Sequence, residues 1–178
     1  INNKKNDPNI ILLVLSTDHM ISNVSSFHRS IEVATDMAAK DHLIIFGVKP
    51  TKPHTGYGYI ETNNAINKIK ASKVKNFIEK PNKEKAKEYF NKGSYLWNSG
   101  MFMFKATTFL EEITKYAKDI SLYAQQSVEN ITSKNNFIYL DSDSFTACPS
   151  DSIDYALMEK TDKSMVVPLL SEWKSRKV

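Results

Sequence analysis

The sequence predicts an α/β protein with a mixed, mostly parallel sheet flanked by helices, and three observations predict it. Ile10 to Leu15 (IILLVL) is an unbroken apolar run, the pattern of a strand buried on both faces. Leu43 to Gly47 (LIIFG) is a second such run, and the amphipathic segment between the two gives β–α–β order. That order implies a parallel pair joined by a right-handed crossover. The chain has 178 residues, 41% hydrophobic and 11% aromatic, which suits one domain over residues 1–178 with a packed core.

The elements follow in order. The first run ends in Ser16, Thr17, Asp18 and His19, polar groups at a strand's carboxyl end, where open α/β sheets place their chemistry. Phe27, Ile31, Ala34 and Ala38 recur at helical spacing within a helix over 25–40. Tyr59 to Glu61 begins a strand, Val74 to Glu79 forms a strand edge running into Pro81, and the polar stretch 63–73 joins them as a loop or short hairpin. Asn82 caps a helix over 83–91, closed by Gly93. A strand over 100–105 (GMFMFK), helices over 107–117 and 120–131, a short helix capped by Asp151 or Ser152 and reaching Lys160, and a strand over 165–169 complete the expected order. There is no internal repeat, low-complexity tract or linker.

Composition excludes several function classes. The net charge is +4, from 24 basic and 20 acidic residues, and the excess is scattered, which argues against nucleic acid and is compatible with a small anionic substrate. Cys148 is the single cysteine, so no internal disulfide forms and a reducing, cytoplasmic setting is expected. No apolar run approaches the ~20 residues of a membrane span, and no membrane partner is expected. The polar opening INNKKNDPN does not read as a signal peptide. The abrupt start without methionine is expected of a chain whose first part is missing.

Three phrases carry most of the chemistry: TKPHTGYGYIE (51–61), FIEKP (77–81) and YLWNSGMFMFK (95–105). Gly56 and Gly58 admit close backbone approach of a ligand, while Glu79, Lys80 and Asn98 offer an acceptor, a cation and an amide. Together they suit a ligand with many hydroxyls and a phosphate. Taken one at a time the same residues have plainer readings: a tight turn at 56–58, solvated surface at Glu79 and Lys80, a turn at Asn98, a cap at Asp18. His28 and His42 read as structural or solvent-facing, His54 has no assigned role, and no His/Cys cluster has zinc spacing. Cys148 reads as a passive loop residue, and DSDS (141–144) as a solvated loop, lacking the glycine and distal glutamate of a calcium loop. Lys68, Lys70, Lys73 and Lys75 read as a wet hairpin face. Trp97, Phe102 and Phe104 read as core, with Trp97 able to wall a ligand pocket.

In the phrases IILLVLSTDHMI, FGVKPTKPHTGYGYIE, FIEKP, YLWNSGMFMFKA and SIDYALMEKTDKSMVVPL, the chain resembles the nucleotidyltransferase domain of mannose-1-phosphate guanylyltransferases, in particular the bacterial type often fused to a phosphomannose isomerase. The resemblance covers nearly the whole chain. It implies a Rossmann-like nucleotide-diphospho-sugar transferase fold and a reaction in which mannose 1-phosphate attacks GTP, giving GDP-mannose and pyrophosphate with Mg²⁺ as cofactor. It implies that Asp18 binds the metal and that Lys80, meeting phosphate, shares the catalytic role. It further implies that Gly56, Tyr57 and Gly58 face the sugar and that Glu79 and Asn98 bind its hydroxyls. Asp154 falls in a family motif with no assigned role.

Two departures from the family pattern alter the expectation. The Gly-rich nucleotide loop and the strand before it do not occur in this sequence, so the nucleotide half of the site is expected to be missing. The family's second metal-binding aspartate falls at Ser175, after Trp173 and Lys174. The KSRKV tail has three readings: a frame change, a cloning scar or real divergence. The expectation is a partial nucleotidyltransferase domain, weak or inactive alone, with homo-oligomerisation through exposed strand edges. The alternatives are a noncatalytic sugar-phosphate-binding or regulatory subunit, a transferase for another sugar 1-phosphate, and a remnant of a broken gene.

Overall fold

The computed structural model describes residues 7, 9–63 and 66–175. Most of the INNKKNDPN opening, residues 64 and 65 of the expected 63–73 loop, and the last three residues of the KSRKV tail lie outside the described residues. In chain order the elements are β1 (Ile11–Val14), β2 (His19–Ile21), α1 (Val24–Ala38), β3 (Leu43–Val48), β4 (Tyr59–Thr62), β5 (Ser72–Ile78), α2 (Lys83–Lys92), β6 (Tyr95–Lys105), α3 (Ala106–Tyr116), α4 (Lys118–Glu129), β7 (Thr132–Lys134), β8 (Phe137–Tyr139), α5 (Ser142–Ala147), a single π-helical turn (Asp154–Met158), β9 (Ser164–Leu169) and β10 (Trp173–Ser175). They divide into two units, Ile11–Lys105 with Asp162–Val178, and Ile1–Ile10 with Ala106–Thr161.

The first unit holds a six-stranded sheet in the order β1-β6-β3-β9-β5-β4, and β4 also returns to the start of β6. The α/β mixed sheet is as the sequence predicts. The expected predominance of parallel pairing is corrected: among the described residues only β3 with β9 is parallel, and the other pairings of this sheet are antiparallel. β1 and β3 do run in the same direction, because both lie antiparallel to β6, but β6 sits between them, so they are not the neighbouring pair that β–α–β order implies. All six residues of β3 are buried, as its unbroken apolar run requires.

α1 begins where Asn23 accepts from the Ser26 amide at 2.9 Å. Its buried residues, Ser26, Ser30, Ala34 and Ala38, recur every fourth position. This small-residue seam lets the helix backbone come close to the sheet, and the Ser30 hydroxyl donates to the Pro168 carbonyl of β9 at 3.0 Å. α2 starts and stops as expected, with Asn82 accepting from the Lys85 amide at 2.9 Å and Gly93 closing it at φ +67°.

β6 begins at Tyr95, five residues before the expected strand, because a bulge absorbs its polar centre. Ile45 pairs with Phe102 but Gly47 with Asn98, so two steps along β3 match four along β6. Gly100 takes φ +71° there, a conformation that L side chains rarely adopt. The Ser99 hydroxyl donates to the Phe46 carbonyl at 2.6 Å and accepts from the Met101 amide at 3.2 Å, so both buried groups of the bulge are satisfied.

Tyr59, Tyr89 and Tyr95 pack together, the last two stacked at 4.3 Å between centroids. Burial, reinforced by the Glu61 carboxylate and a hydrogen bond to it, pushes the Tyr95 phenol well above its usual range. A phenol raised on folding supports stability fully below its unfolded value near ~10, and that support is lost as pH climbs beyond it. Tyr95→Phe should therefore flatten the alkaline loss of stability, measured by urea unfolding at roughly pH 9 and pH 11. Equal slopes for both proteins would contradict this account.

In the second unit, α3, α4 and the π-helical turn frame a mainly apolar cleft of about 880 Å³ that includes Phe109, Ile113, Ile120, Ala124 and Ile153. Within the same unit the buried Glu112 carboxylate accepts from the Thr161 hydroxyl at 2.6 Å. Two expectations are corrected here. DSDS is not a solvated loop, because Asp141 caps α5 by accepting from the Ser144 amide at 2.9 Å, and those hydrogen bonds lower its carboxyl pKa. The short helix before Lys160 is one π turn, with Ser152 at its head accepting from the Tyr155 amide at 3.4 Å. The hairpin β7–β8 was not expected at all.

Candidate active site

The candidate residues fall in the sheet unit, near the carboxyl ends of β1, β3 and β9 and the first half of β6. Gly58 immediately precedes β4 and Glu79 immediately follows its partner β5. A Cβ added at Gly58 would strike the Glu79 carboxylate and lie 3.3 Å from the Asn98 Cβ. Gly58 is thus required by close approach, and it marks the point where loop, acid and amide converge. The Asn98 amide N–H donates to the Gly58 carbonyl at 2.8 Å, and the Asn98 Oδ1 accepts from the Gly100 N–H at 2.9 Å. The expected turn at Asn98 is therefore the β6 bulge.

Glu79 pairs with Lys80, its carboxylate buried and the lysine side chain 59% exposed. Lys80 takes φ +46°. A non-glycine residue held there costs on the order of 1–3 kcal/mol, and such strain gathers at functional sites. Gly56 donates its N–H to His54 Nδ1 at 3.0 Å. Tyr57 packs on Trp97 at 4.8 Å between centroids and on Trp173 at 5.5 Å, and burial raises its phenol pKa.

Asp18 lies between β1 and β2, 3.8 Å from His19 Nε2, and His19 packs edge-on against Trp173 at 5.0 Å. A continuous line of contacts therefore runs from Asp18 through His19, Trp173 and Tyr57 to the Gly58 loop. β10 pairs with β2 so that Ser175 stands opposite His19, one residue from Asp18. Asp18 Oδ2 is buried and meets no hydrogen-bond partner among the described residues.

Beside this line is a cleft of about 980 Å³ whose lining includes Tyr57, Trp97, Trp173, Lys49, Lys52 and Lys174. Sequence reasoning missed the three lysines and Trp173. The available signal was KPTK directly after a buried strand, at the edge where ligands gather. The indole N–H groups of Trp97 and Trp173 are buried and meet no acceptor among the described residues. The lysine rim suits an oxygen-rich anion, and the aromatic faces suit the C–H face of a sugar. Glu79, Lys80 and Asn98 are not part of this cleft's lining; Asn98 follows the lining residue Trp97 in β6, and Glu79 meets Gly58, which follows the lining residue Tyr57.

The fold and this donor-rich sheet edge define an α/β protein whose mixed sheet gathers acid, amide, lysine and aromatic groups at one edge. The chain belongs to the nucleotidyl transferase family, whose profile matches residues 1–167. It is 44% identical over 170 residues to a mannose-1-phosphate guanylyltransferase of Salmonella montevideo, covering 93% of this chain and 36% of that protein. It is 42% identical over 165 residues to another of the same name from Klebsiella pneumoniae, covering 92% and 35%. The solved structure of a Helicobacter pylori protein, described as a mannose-6-phosphate isomerase, superposes with a TM-score of 0.87 at 35% identity, covering 95% of this chain and 66% of that one. The chain thus spans about a third of the length of these curated relatives.

Proposed function

We propose that residues 1–178 form a partial nucleotidyltransferase domain carrying the sugar-phosphate half of a mannose-1-phosphate guanylyltransferase. The complete enzyme would join mannose 1-phosphate to GTP and release pyrophosphate. The convergence of Gly58, Glu79 and Asn98 carries this reading, and the identity to guanylyltransferases over 93% of the chain supports it.

In the reaction a phosphate oxygen of mannose 1-phosphate attacks the α-phosphorus of GTP, and pyrophosphate leaves with the bonding electrons. The attacking phosphate is already ionised, so the site needs no strong general base. Its task is positioning and charge compensation. Glu79 accepts from sugar hydroxyls, Asn98 and the backbone at 56–58 orient the ring, and Lys80 meets the phosphate. Asp18 fits a hard divalent cation, because its buried Oδ2 has no protein partner among the described residues. No cluster of three or more His, Cys, Asp or Glu accompanies it there, so waters and phosphate oxygens would fill the other positions. When bound, Mg²⁺ would offset the repulsion between the two anions.

No helix among the described residues is long and apolar enough to cross a membrane. A reaction that consumes GTP suits the cytoplasm. β1 ends the sheet order and carries exposed Val14, an edge on which a second copy could pair.

One observation favours the noncatalytic binding or regulatory reading. Ser175 faces His19 where the family pattern calls for a second aspartate, and a hydroxyl is a poor substitute for a charged metal ligand. Thermal shift tests the shared core of both readings. Mannose 1-phosphate should raise the melting temperature more than glucose 1-phosphate does. Asp18→Asn should remove only the Mg²⁺-dependent part of that rise. Indifference to both sugar phosphates would overturn the proposal. Robust pyrophosphate release from GTP would instead show that the chain is a complete catalyst.

A further inference from the structure

The sequence assigns His54 of the 51–61 phrase no role, yet the loop is organised around it. Its backbone N–H donates to the hydroxyl of Tyr59, which is fully buried at the start of β4. Its Nδ1 accepts from the Gly56 N–H, two residues on, at 3.0 Å. This is the bond an Asn or Asp side chain makes in an Asx turn, here made by imidazole. Its ring lies 4.9 Å from Tyr57 and 6.2 Å from Trp97 between centroids, so it joins the same aromatic stack. A Cβ added at Gly56 would lie 2.9 Å from His54 Cε1, so the two residues sit as close as their chemistry permits.

The Gly56 bond requires a lone pair on Nδ1, which places the ring proton on Nε2. Adding a proton to Nδ1 turns the acceptor into a donor facing another donor, and the bond is lost. Among the described residues, the ring contacts and the backbone bond bring two titratable groups to the segment, the phenols of Tyr57, on the same loop, and Tyr59, on β4; Trp97, on β6, brings none. Tyr57 is raised by burial and stays neutral through the acid range, so no carboxylate among these contacts compensates a new imidazolium.

We propose that neutral His54 is a positioning residue for the loop 54–58: Nδ1 fixes the Gly56 amide, the ring fixes Tyr57 against Trp97, and protonation of Nδ1 releases the loop and weakens sugar-phosphate binding. The binding consequence rests on the function proposed above; the coupling of His54 to Gly56 does not. Gly58 hands its carbonyl to Asn98, so loosening at Gly56 reaches the amide and carboxylate that flank the ligand.

The test uses the full 178-residue chain, labelled with ¹⁵N, and two variants. Without ligand, the Gly56 amide resonance should move with the His54 imidazole titration, and its hydrogen exchange should quicken in acid beyond the ordinary pH trend. With mannose 1-phosphate, whose own phosphate also takes up protons in acid, the variants separate the two effects. His54→Phe keeps the ring but has no acceptor, and should bind about tenfold more weakly than wild type at neutral pH, the loss of one hydrogen bond, with the gap closing in acid where wild type loses the same bond. His54→Asn restores an acceptor that does not titrate. It should bind near wild type at neutral pH and lack the extra acid weakening. A Gly56 amide indifferent to His54, His54→Phe binding as tightly as wild type at neutral pH, or His54→Asn retaining the full acid loss would each overturn the proposal. If no protein binds the sugar phosphate, the function proposed above fails, while the Gly56 titration still decides whether His54 holds the loop.

Discussion

Alanine at Gly58 is expected to weaken mannose 1-phosphate binding sharply while costing only about 1–3 kcal/mol of stability. The added Cβ would meet the Glu79 carboxylate first, then the Asn98 Cβ at 3.3 Å and the Phe77 ring at 3.5 Å. The carboxylate is the movable end of a side chain, so it swings away and the backbone survives. Function suffers more than folding, because the displaced group is the acceptor proposed for sugar hydroxyls. Calorimetry should show affinity falling by more than tenfold, and urea unfolding a modest loss. Adding Glu79→Gln to Gly58→Ala should change binding little further, since both remove one interaction. Wild-type affinity in Gly58→Ala would mean that Glu79 does not serve the ligand.

Ser99→Ala is expected to be the most destabilising single-atom change near the site, at about 2–4 kcal/mol. Its hydroxyl serves two backbone groups of the bulge, the Phe46 carbonyl and the Met101 amide, and Ser99 is only 4% exposed. Removing the oxygen leaves both groups without this partner where water has little access. The bulge then loses the support that holds Asn98 opposite Gly47, so sugar-phosphate affinity should fall with stability. Urea unfolding checks the first effect and calorimetry the second. A loss below about 0.5 kcal/mol, the scale of an ordinary surface substitution, would show that the bulge holds without Ser99.

Local patterns were legible in the sequence, and long-range pairing was not. IILLVL and LIIFG are strands, Asn82 and Gly93 bound a helix, and each follows from chemistry within a few residues. The place of β6 between β1 and β3 joins segments far apart in the chain, and neither apolar run records its neighbour. The polar phrase Asn98–Gly100 interrupts the periodicity of β6, so the strand reads as starting late; a bulge resolves the conflict. β7–β8 escaped because its strands are short and exposed, although Asn135 and Asn136 at φ +52° and +64° are the residues a tight hairpin turn favours.

The site divides in the same way. Gly58, Glu79 and Asn98 stand out by residue type and do meet in space. Lys49, Lys52 and Lys174 are unremarkable in sequence and share one cleft only because β3 and β9 run side by side to the same edge. Ser175 was singled out as a missing carboxylate, but its place opposite His19 needed the β2–β10 pairing, two three-residue strands with no periodic signal.

The seam of Ser26, Ser30, Ala34 and Ala38 along α1 sets a ceiling on evolutionary drift. Arg29, Glu32 and Asp36 face solvent and can exchange freely, whereas a valine in the seam would lever the helix off β9. Divergence along this helix should therefore come in a four-beat rhythm, with every seam position confined to glycine, alanine or serine while its neighbours turn over.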